Sequence, residues 1–195
     1  MKELAELVII IDRSGSMHGL EKDVIGGFNA LIEAQRKEGP ARVTTIFFND
    51  RTRFIHEAMD IQEVKPLEAK HYSPSGTTAL LDAIGDAISL IKSKHAALPI
   101  EELPKDTIFS IMTDGLENAS REYSYSKVKD MIEMQKKCGW TFLFQAANID
   151  VVAEASRLGV DAAMAMAFEA DPEGVKRSMH CACACISEKR RSKKN

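Results

Sequence analysis

The sequence predicts an α/β fold: a three-layer, doubly wound, mostly parallel six-stranded sheet with one antiparallel edge strand and helices on both faces. Three observations carry that prediction. Short β-branched runs alternate with amphipathic segments along the chain, as in a parallel sheet covered by helices. The first run, Leu7 to Ile11, is continuously apolar, which suits a strand buried on both faces. Polar clusters end two of the strands and precede the second helical stripe, all on the one rim where doubly wound sheets collect their ligands.

The elements follow in order. After the strand Leu7 to Ile11, the segment Glu21 to Glu38 sets Val24, Ile25, Phe28, Leu31 and Ile32 on one helical stripe, and Gly39-Pro40 ends it. Val43 to Phe48 is the second strand. Asn49-Asp50 is a two-residue turn into Arg51 to Ile61, so this pair reads as a hairpin carrying the antiparallel edge strand. Beyond a loop with Pro66 and Pro74, Leu80, Leu81, Ile84, Ala87, Ile88 and Ile91 form a second helical stripe. Thr107 to Met112 is a strand that stops at Asp114-Gly115. A third helix starts from Ser124 or Ser126 as N-cap, and Gly139 closes it. Trp140 to Ala146 is a strand, Asp150 opens a short helix that stops before Gly159, and Ala162 to Phe168 is the last, weaker strand, since alanine is a poor strand former. Asp171-Pro172 opens the C-terminal helix. The order is β-α-β-β-α-β-α-β-α-β-α.

Composition narrows the function. At 195 residues and 45% hydrophobic, the chain suits one domain with a sizeable core, expected over residues 1–188. With 26 basic against 29 acidic residues, the charge points neither to nucleic acid nor to an anionic membrane. Five basic residues sit in Lys189 to Lys194, and residues 189–195 are expected to be a basic, fraying tail. The start Met1-Lys2-Glu3-Leu4-Ala5-Glu6 lacks the pattern of a secretory signal, and no apolar run reaches membrane-spanning length. The four cysteines, Cys138 and the group Cys181, Cys183 and Cys185, do not form a spread disulfide framework. A cytoplasmic monomer is expected.

The chemistry lies in three loops on one rim of the sheet. They supply two carboxylates, Asp12 and Asp114, and the hydroxyls of Ser14, Ser16, Thr77 and Thr78, without His or Cys. An all-oxygen set suits hard cations such as Mg²⁺, Mn²⁺ or Ca²⁺, whereas Zn²⁺ recruits nitrogen or sulfur. In Asp-x-Ser-x-Ser, alternate side chains of a curved loop point to one side, and Gly15 lets the backbone curl. Two carboxylates balance a divalent charge while hydroxyls complete the shell, which leaves the ion electrophilic toward one more anionic ligand. A carboxylate from another protein is the natural one.

The strings Ile10-Ile11-Asp12-Arg13-Ser14-Gly15-Ser16-Met17, Ser75-Gly76-Thr77-Thr78-Ala79-Leu80 and Met112-Thr113-Asp114-Gly115 resemble the von Willebrand factor type A (VWA) domain and its metal-ion-dependent adhesion site (MIDAS). The resemblance covers nearly the whole chain and suggests a stand-alone bacterial-type member. It implies that Ser14 and Ser16 bind the metal directly, Asp12 and Asp114 directly or through water, and Thr77 directly in one conformational state. Thr77 is preferred to Thr78 because the family's threonine follows the glycine. Ser75 departs from the second glycine of many members.

The expected function is therefore a divalent-metal-binding protein-interaction module that takes an acidic residue of a partner. Catalysis is not expected, and no residue is assigned to it. The alternative is a metal-dependent hydrolase or phosphotransferase at the same site, for which only His18 and Glu117 are within sequence reach as a base. The run from His180 to Cys185 does not suit a metal, because Cys183 is turned about 200° from Cys181 on a regular helix. These thiols and Cys138 read as small buried packing residues, and Met164 and Met166 as core. Asn118 is expected to brace the loop around Asp114.

Overall fold

A computed structural model describes residues 3–192. Its main elements are β1 (Ala5–Asp12), α1 (Glu21–Glu38), β2 (Ala41–Phe48), β3 (Thr52–Asp60), α2 (Leu80–Ala96), β4 (Asp106–Thr113), α3 (Tyr125–Lys137), β5 (Thr141–Ala146), α4 (Val151–Leu158), β6 (Ala165–Ala167) and α5 (Pro172–Ser192). The strands form one sheet in the order β3-β2-β1-β4-β5-β6, in which only β3 runs antiparallel. The doubly wound architecture read from the sequence is the architecture observed.

Strand β1 holds the centre because each of its eight residues is buried. Its odd-numbered apolar residues, Leu7, Ile9 and Ile11, pack with Val24, Phe28 and Leu31 of α1 and Val175, Met179 and Ile186 of α5. Val8 and Ile10 face the other way, into Ile84 and Ile88 of α2, Val128 and Ile132 of α3, and Ala155 and Leu158 of α4. Each such side chain contributes about 1.5–3 kcal/mol by leaving water, so a strand with two apolar faces recruits helices to both. Because β1 pairs with β2 on one side and β4 on the other, the direction of winding reverses there. In sheets of this kind, ligands sit at the carboxyl ends of the strands flanking such a reversal, here β1 and β4.

Local signals set several boundaries. Ser124 is the N-cap of α3, its side chain accepting from Lys127 N, which settles the choice between Ser124 and Ser126. Asp150 caps α4 by accepting from Ala153 N at 3.0 Å, and Gly159 ends that helix in the left-handed conformation at φ 82°. Asp171 accepts from Gly174 N at 2.6 Å at the start of α5.

The structure departs from the sequence reading at both ends of the last segment. Only Ala165–Ala167 pairs with β5, and a 3-10 turn takes Ala162–Met164, so the expected strand Ala162 to Phe168 shrinks to three residues. Alanine offers too little cross-strand packing to extend it. The expected fraying from residue 189 is also corrected, because α5 stays helical through Ser192. Arg190 is only 7% exposed and donates to Gln35 O and Gln35 Oε1, both at 2.9 Å, to Gly39 O at 3.0 Å and to Pro40 O at 3.2 Å. A buried guanidinium with four acceptors fastens this turn to α1 and the α1–β2 loop. Residues 193–195 lie outside the described residues.

The cysteines are less buried than expected. Cys138 and Cys181 are exposed, and Cys183 and Cys185 are half-buried against the α1–α5 core, while the alternating Ala182 and Ile186 make the buried stripe. Met164 is partly buried and reaches both cores. Among the described residues no helix is long and apolar enough to cross a membrane.

Candidate metal centre

The site starts where β1 runs out of paired neighbours. Arg13 N still donates to Phe48 O at 2.7 Å, and the chain then turns, with Ser14 N donating to Asp12 Oδ1 at 2.7 Å. This Asx turn leads into the 3-10 turn Gly15–Met17, which swings Ser14 and Ser16 back over the end of the sheet. The second loop is stitched to the first through backbone: Ser75 N donates to Arg13 O at 2.8 Å and Gly15 N to Gly76 O at 3.0 Å. Gly76 has φ 76°, a left-handed backbone that favours glycine. The third loop leaves β4 at Asp114.

Side chains from two of these loops form a chain of polar contacts joined through the Ser14 backbone N–H on Asp12. Thr113 Oγ1 donates to Asp12 Oδ2 at 2.6 Å, Ser14 Oγ lies 3.1 Å from Ser16 Oγ, and Ser16 Oγ donates to Asp114 Oδ1 at 2.7 Å. Asp12, Ser14 and Asp114 are buried, whereas Ser16 is exposed, so the group opens to solvent over Ser16. The structure thus brings together Asp12, Ser14, Ser16 and Asp114, 98 residues apart in sequence between Ser16 and Asp114.

Thr77 stands apart from them. Its neighbours are tied in, Gly76 to Gly15 and Thr78 to Asn118, yet the Thr77 side chain is exposed and no hydrogen bond joins it to the cluster. Thr78, the next residue, is 4% exposed. Asn118 accepts from Thr78 N at 2.9 Å through Oδ1 and donates through its own N to Thr78 O at 3.0 Å. It therefore braces the second loop against the third, not the Asp114 loop alone.

Electrostatics at the centre are set by burial. Both carboxyls are pushed above the usual aspartate range, chiefly by desolvation. Hydrogen bonds from Thr113 and Ser14 work against that at Asp12, where the charge of Asp114 adds to it; at Asp114 the opposing bond comes from Ser16. Two buried anions this close raise the free energy of the ionised pair, and a cation between them reverses the sign of that interaction. Two carboxylates and two hydroxyls on one rim, without imidazole or thiol, are a donor set suited to a hard divalent ion.

Several supporting residues were invisible in the sequence. Tyr72 OH donates to Asp12 O at 2.5 Å, and burial drives its phenol far above the ordinary range, so it acts as a fixed donor. Asn49 Nδ2 donates to Ser75 O at 2.8 Å, and Asn148 Nδ2 to Asp114 O at 3.0 Å. Only the placement of Asn49 directly after β2 and of Asn148 two residues after β5 hinted at such roles. The two candidate bases are occupied elsewhere. His18 is exposed and lies 3.2 Å from Glu21 Oε1. Glu117 accepts from Leu81 N, Ala119 N, Ser120 N and Ser120 Oγ, at 2.7–3.0 Å.

No family model matches the chain, and no curated relative matches it. Solved structures do. The PilB minor pilin from Streptococcus sanguinis superposes with a TM-score of 0.73 at 12% identity, over 100% of this chain and 64% of that one. The vWF domain of the type V pili tip protein Mfa5 from Porphyromonas gingivalis gives 0.68 at 11% identity, over 98% of this chain and 97% of that one. Proximal thread matrix protein 1 from the mussel byssus, with zinc in its MIDAS motif, gives 0.64 at 17% identity, over 95% of this chain and 46% of that one. The chain therefore spans less than two thirds of the length of the first and third of these proteins and nearly all of the Mfa5 domain. Sheet order, the antiparallel edge strand and these superpositions together establish that this chain has the von Willebrand factor type A fold.

Proposed function

We propose that the protein is a metal-dependent protein-interaction module, in which Asp12, Ser14, Ser16 and Asp114 hold one divalent cation that takes a carboxylate from a partner. The observation that carries this reading is the continuous contact from Asp12 through Ser14 and Ser16 to Asp114, on a rim that opens at Ser16. A bound ion would supply a positive charge with a coordination position facing solvent. The protein's residues do the rest: Thr113 and Tyr72 fix Asp12, Asn148 fixes the Asp114 backbone, and Asn118 locks the second loop to the third. For the fifth donor the resemblance names Thr77, which like Ser16 is exposed.

Mg²⁺, Mn²⁺ and Ca²⁺ fit the oxygen donors best, and the zinc held by the mussel protein's MIDAS motif makes Zn²⁺ a necessary competitor in any test. No catalytic role is proposed for the site: Glu117 accepts loop hydrogen bonds, and the exposed His18 lies beside Glu21. Four thiols without a disulfide fit a reducing compartment, and a monomeric cytoplasmic protein remains our proposal. Capture of a partner from lysate in Mg²⁺, lost in EDTA and in Asp12→Ala with the fold intact, supports the module. Metal-dependent turnover of phosphate or acyl esters by the wild type, abolished in Asp12→Ala, would replace it with the hydrolase reading.

A further inference from the structure

We propose that the cleft between β3 and the segment 63–71 is a binding site for a small organic phosphate of nucleotide size. The cleft encloses about 660 Å³, within the roughly 300–1,000 Å³ typical of small-molecule sites. Its lining inverts the charge of the protein. Arg53, His56, Lys65, Lys70 and His71 face it, against the carboxylates of Glu63 and Glu68, on a chain of formal net charge −3. Glu68 is already engaged, lying 3.0 Å from Lys70 Nζ and capping the turn Ala69–His71.

Of the two imidazoles, His71 is arranged as a donor toward the cleft. His56 Nδ1 lies 3.0 Å from Thr45 Oγ1, and His71 Nδ1 accepts from Glu68 N at 2.8 Å. The latter bond puts the proton of neutral His71 on Nε2, and neither Nε2 has a partner among the described residues. Phe28 stacks on His56 with centroids 6.3 Å apart and planes at 11°, so this ring is held in place before any ligand arrives. Guanidinium, ammonium and imidazole N–H groups together match the oxygens of a phosphate monoester. Ile55, Met59 and Leu67 line the same cleft and pack against the α1–α5 core, which gives an apolar wall for the body of the ligand.

An added peptide strand fits this edge poorly. The β2–β3 ladder slips between Val43 and Ile46, Ala58 adopts φ 48°, and Ala58 N turns inward to Thr44 Oγ1 at 2.9 Å. A bulge of this kind bends the edge away from regular pairing. The cleft shares no residue with Asp12, Ser14, Ser16 or Asp114, so it can be tested separately from the metal reading.

The test is calorimetric titration of the full chain with AMP, adenosine and inorganic phosphate. Saturable AMP binding that exceeds both adenosine and phosphate, and that weakens about tenfold in Arg53→Ala and in Lys65→Ala, supports the site. Both side chains are exposed, so circular dichroism and an unchanged melting temperature will show that the variants fold. Absence of AMP binding, adenosine binding as tightly as AMP, phosphate binding as tightly as AMP, or variants with unaltered affinity would each overturn it.

Discussion

Replacing Arg190 with alanine tests whether the last turn of α5 is part of the fold or only drawn along it. The guanidinium donates four hydrogen bonds, two to Gln35 and one each to the carbonyls of Gly39 and Pro40, in a site only 7% exposed. Hydrogen bonds from a charged group contribute about 1.5–3 kcal/mol each when deleted singly, but their sum is not additive. The guanidinium also loses hydration on burial, which holds its pKa below the usual arginine value, while Glu38 and Asp106 pull the other way. Deleting it recovers that desolvation penalty and strands Gln35 Oε1, whose side chain keeps only its donor contacts to Ser187 Oγ at 2.8 Å and to Cys183. The net loss should be about 3 kcal/mol, as for breaking other buried charged networks. For a domain of this size that corresponds to a fall in melting temperature of about 6–12 °C, read by circular dichroism and checked by urea unfolding. Arg190→Lys should lie between wild type and alanine, because one ammonium cannot span four acceptors in two directions. If Arg190→Ala melts within about 2 °C of wild type, the clamp contributes nothing, and residues 189–192 behave as the fraying tail their sequence suggests.

Further expectations follow from single positions. Gly26 and Gly27 are adjacent on α1, but a Cβ at Gly26 meets nothing within 4 Å whereas one at Gly27 would lie 2.6 Å from Met179 Cγ. Gly26→Ala should stabilise by about 0.5–1 kcal/mol and Gly27→Ala should destabilise by about 1–2 kcal/mol; equal urea midpoints would refute the close approach of α1 and α5. His56 has its pKa lowered first by burial and then by the charge of His71, so its folded value lies below its unfolded one. Its neutral form therefore gives full stability above about pH 6.5, and stability falls as pH drops below that through the folded value; thermal melts from pH 8 to 5 should show the loss, and His56→Phe should reduce it. Thr77→Ala should weaken Mg²⁺ binding more than Thr78→Ala, because Asn118 is tied to the backbone of Thr78 and not to its hydroxyl; the reverse order in a Mg²⁺ titration would move the fifth donor to Thr78.

How much of this was legible beforehand depends on the range of the determining interactions. Leu7 to Ile11 announces a central strand because burial on both faces leaves a continuous apolar run, and all five are buried. Asp12, Ser14, Ser16 and Asp114 were readable for a similar reason, since local alternation and strand ends fix where their side chains gather. Thr77 and Thr78 are neighbours in a loop without regular periodicity, and the tie of the Thr78 backbone to Asn118, 40 positions away, could not be read locally. Tyr72 and Thr113 were missed because their contacts with Asp12 span 60 and 101 residues. Arg190 was misread because a basic terminus is ordinarily solvated, and nothing local tells of the four acceptors waiting at Gln35, Gly39 and Pro40. The cysteines on α5 erred the other way, small and apolar in type but set beside the stripe that Ala182 and Ile186 bury.

The most direct measurement is a calorimetric titration of metal-free protein with Mg²⁺, repeated with Mn²⁺ and Zn²⁺ and followed by melting at saturation. One ion per chain should bind, and an excess of about 100 Kd should add about 2.7 kcal/mol of stability. Asp12→Ala and Asp114→Ala should fold and lose both effects. If the wild type takes up none of these ions at millimolar concentration, or if the two variants bind as tightly as it does, the cluster at the ends of β1 and β4 is not a metal centre.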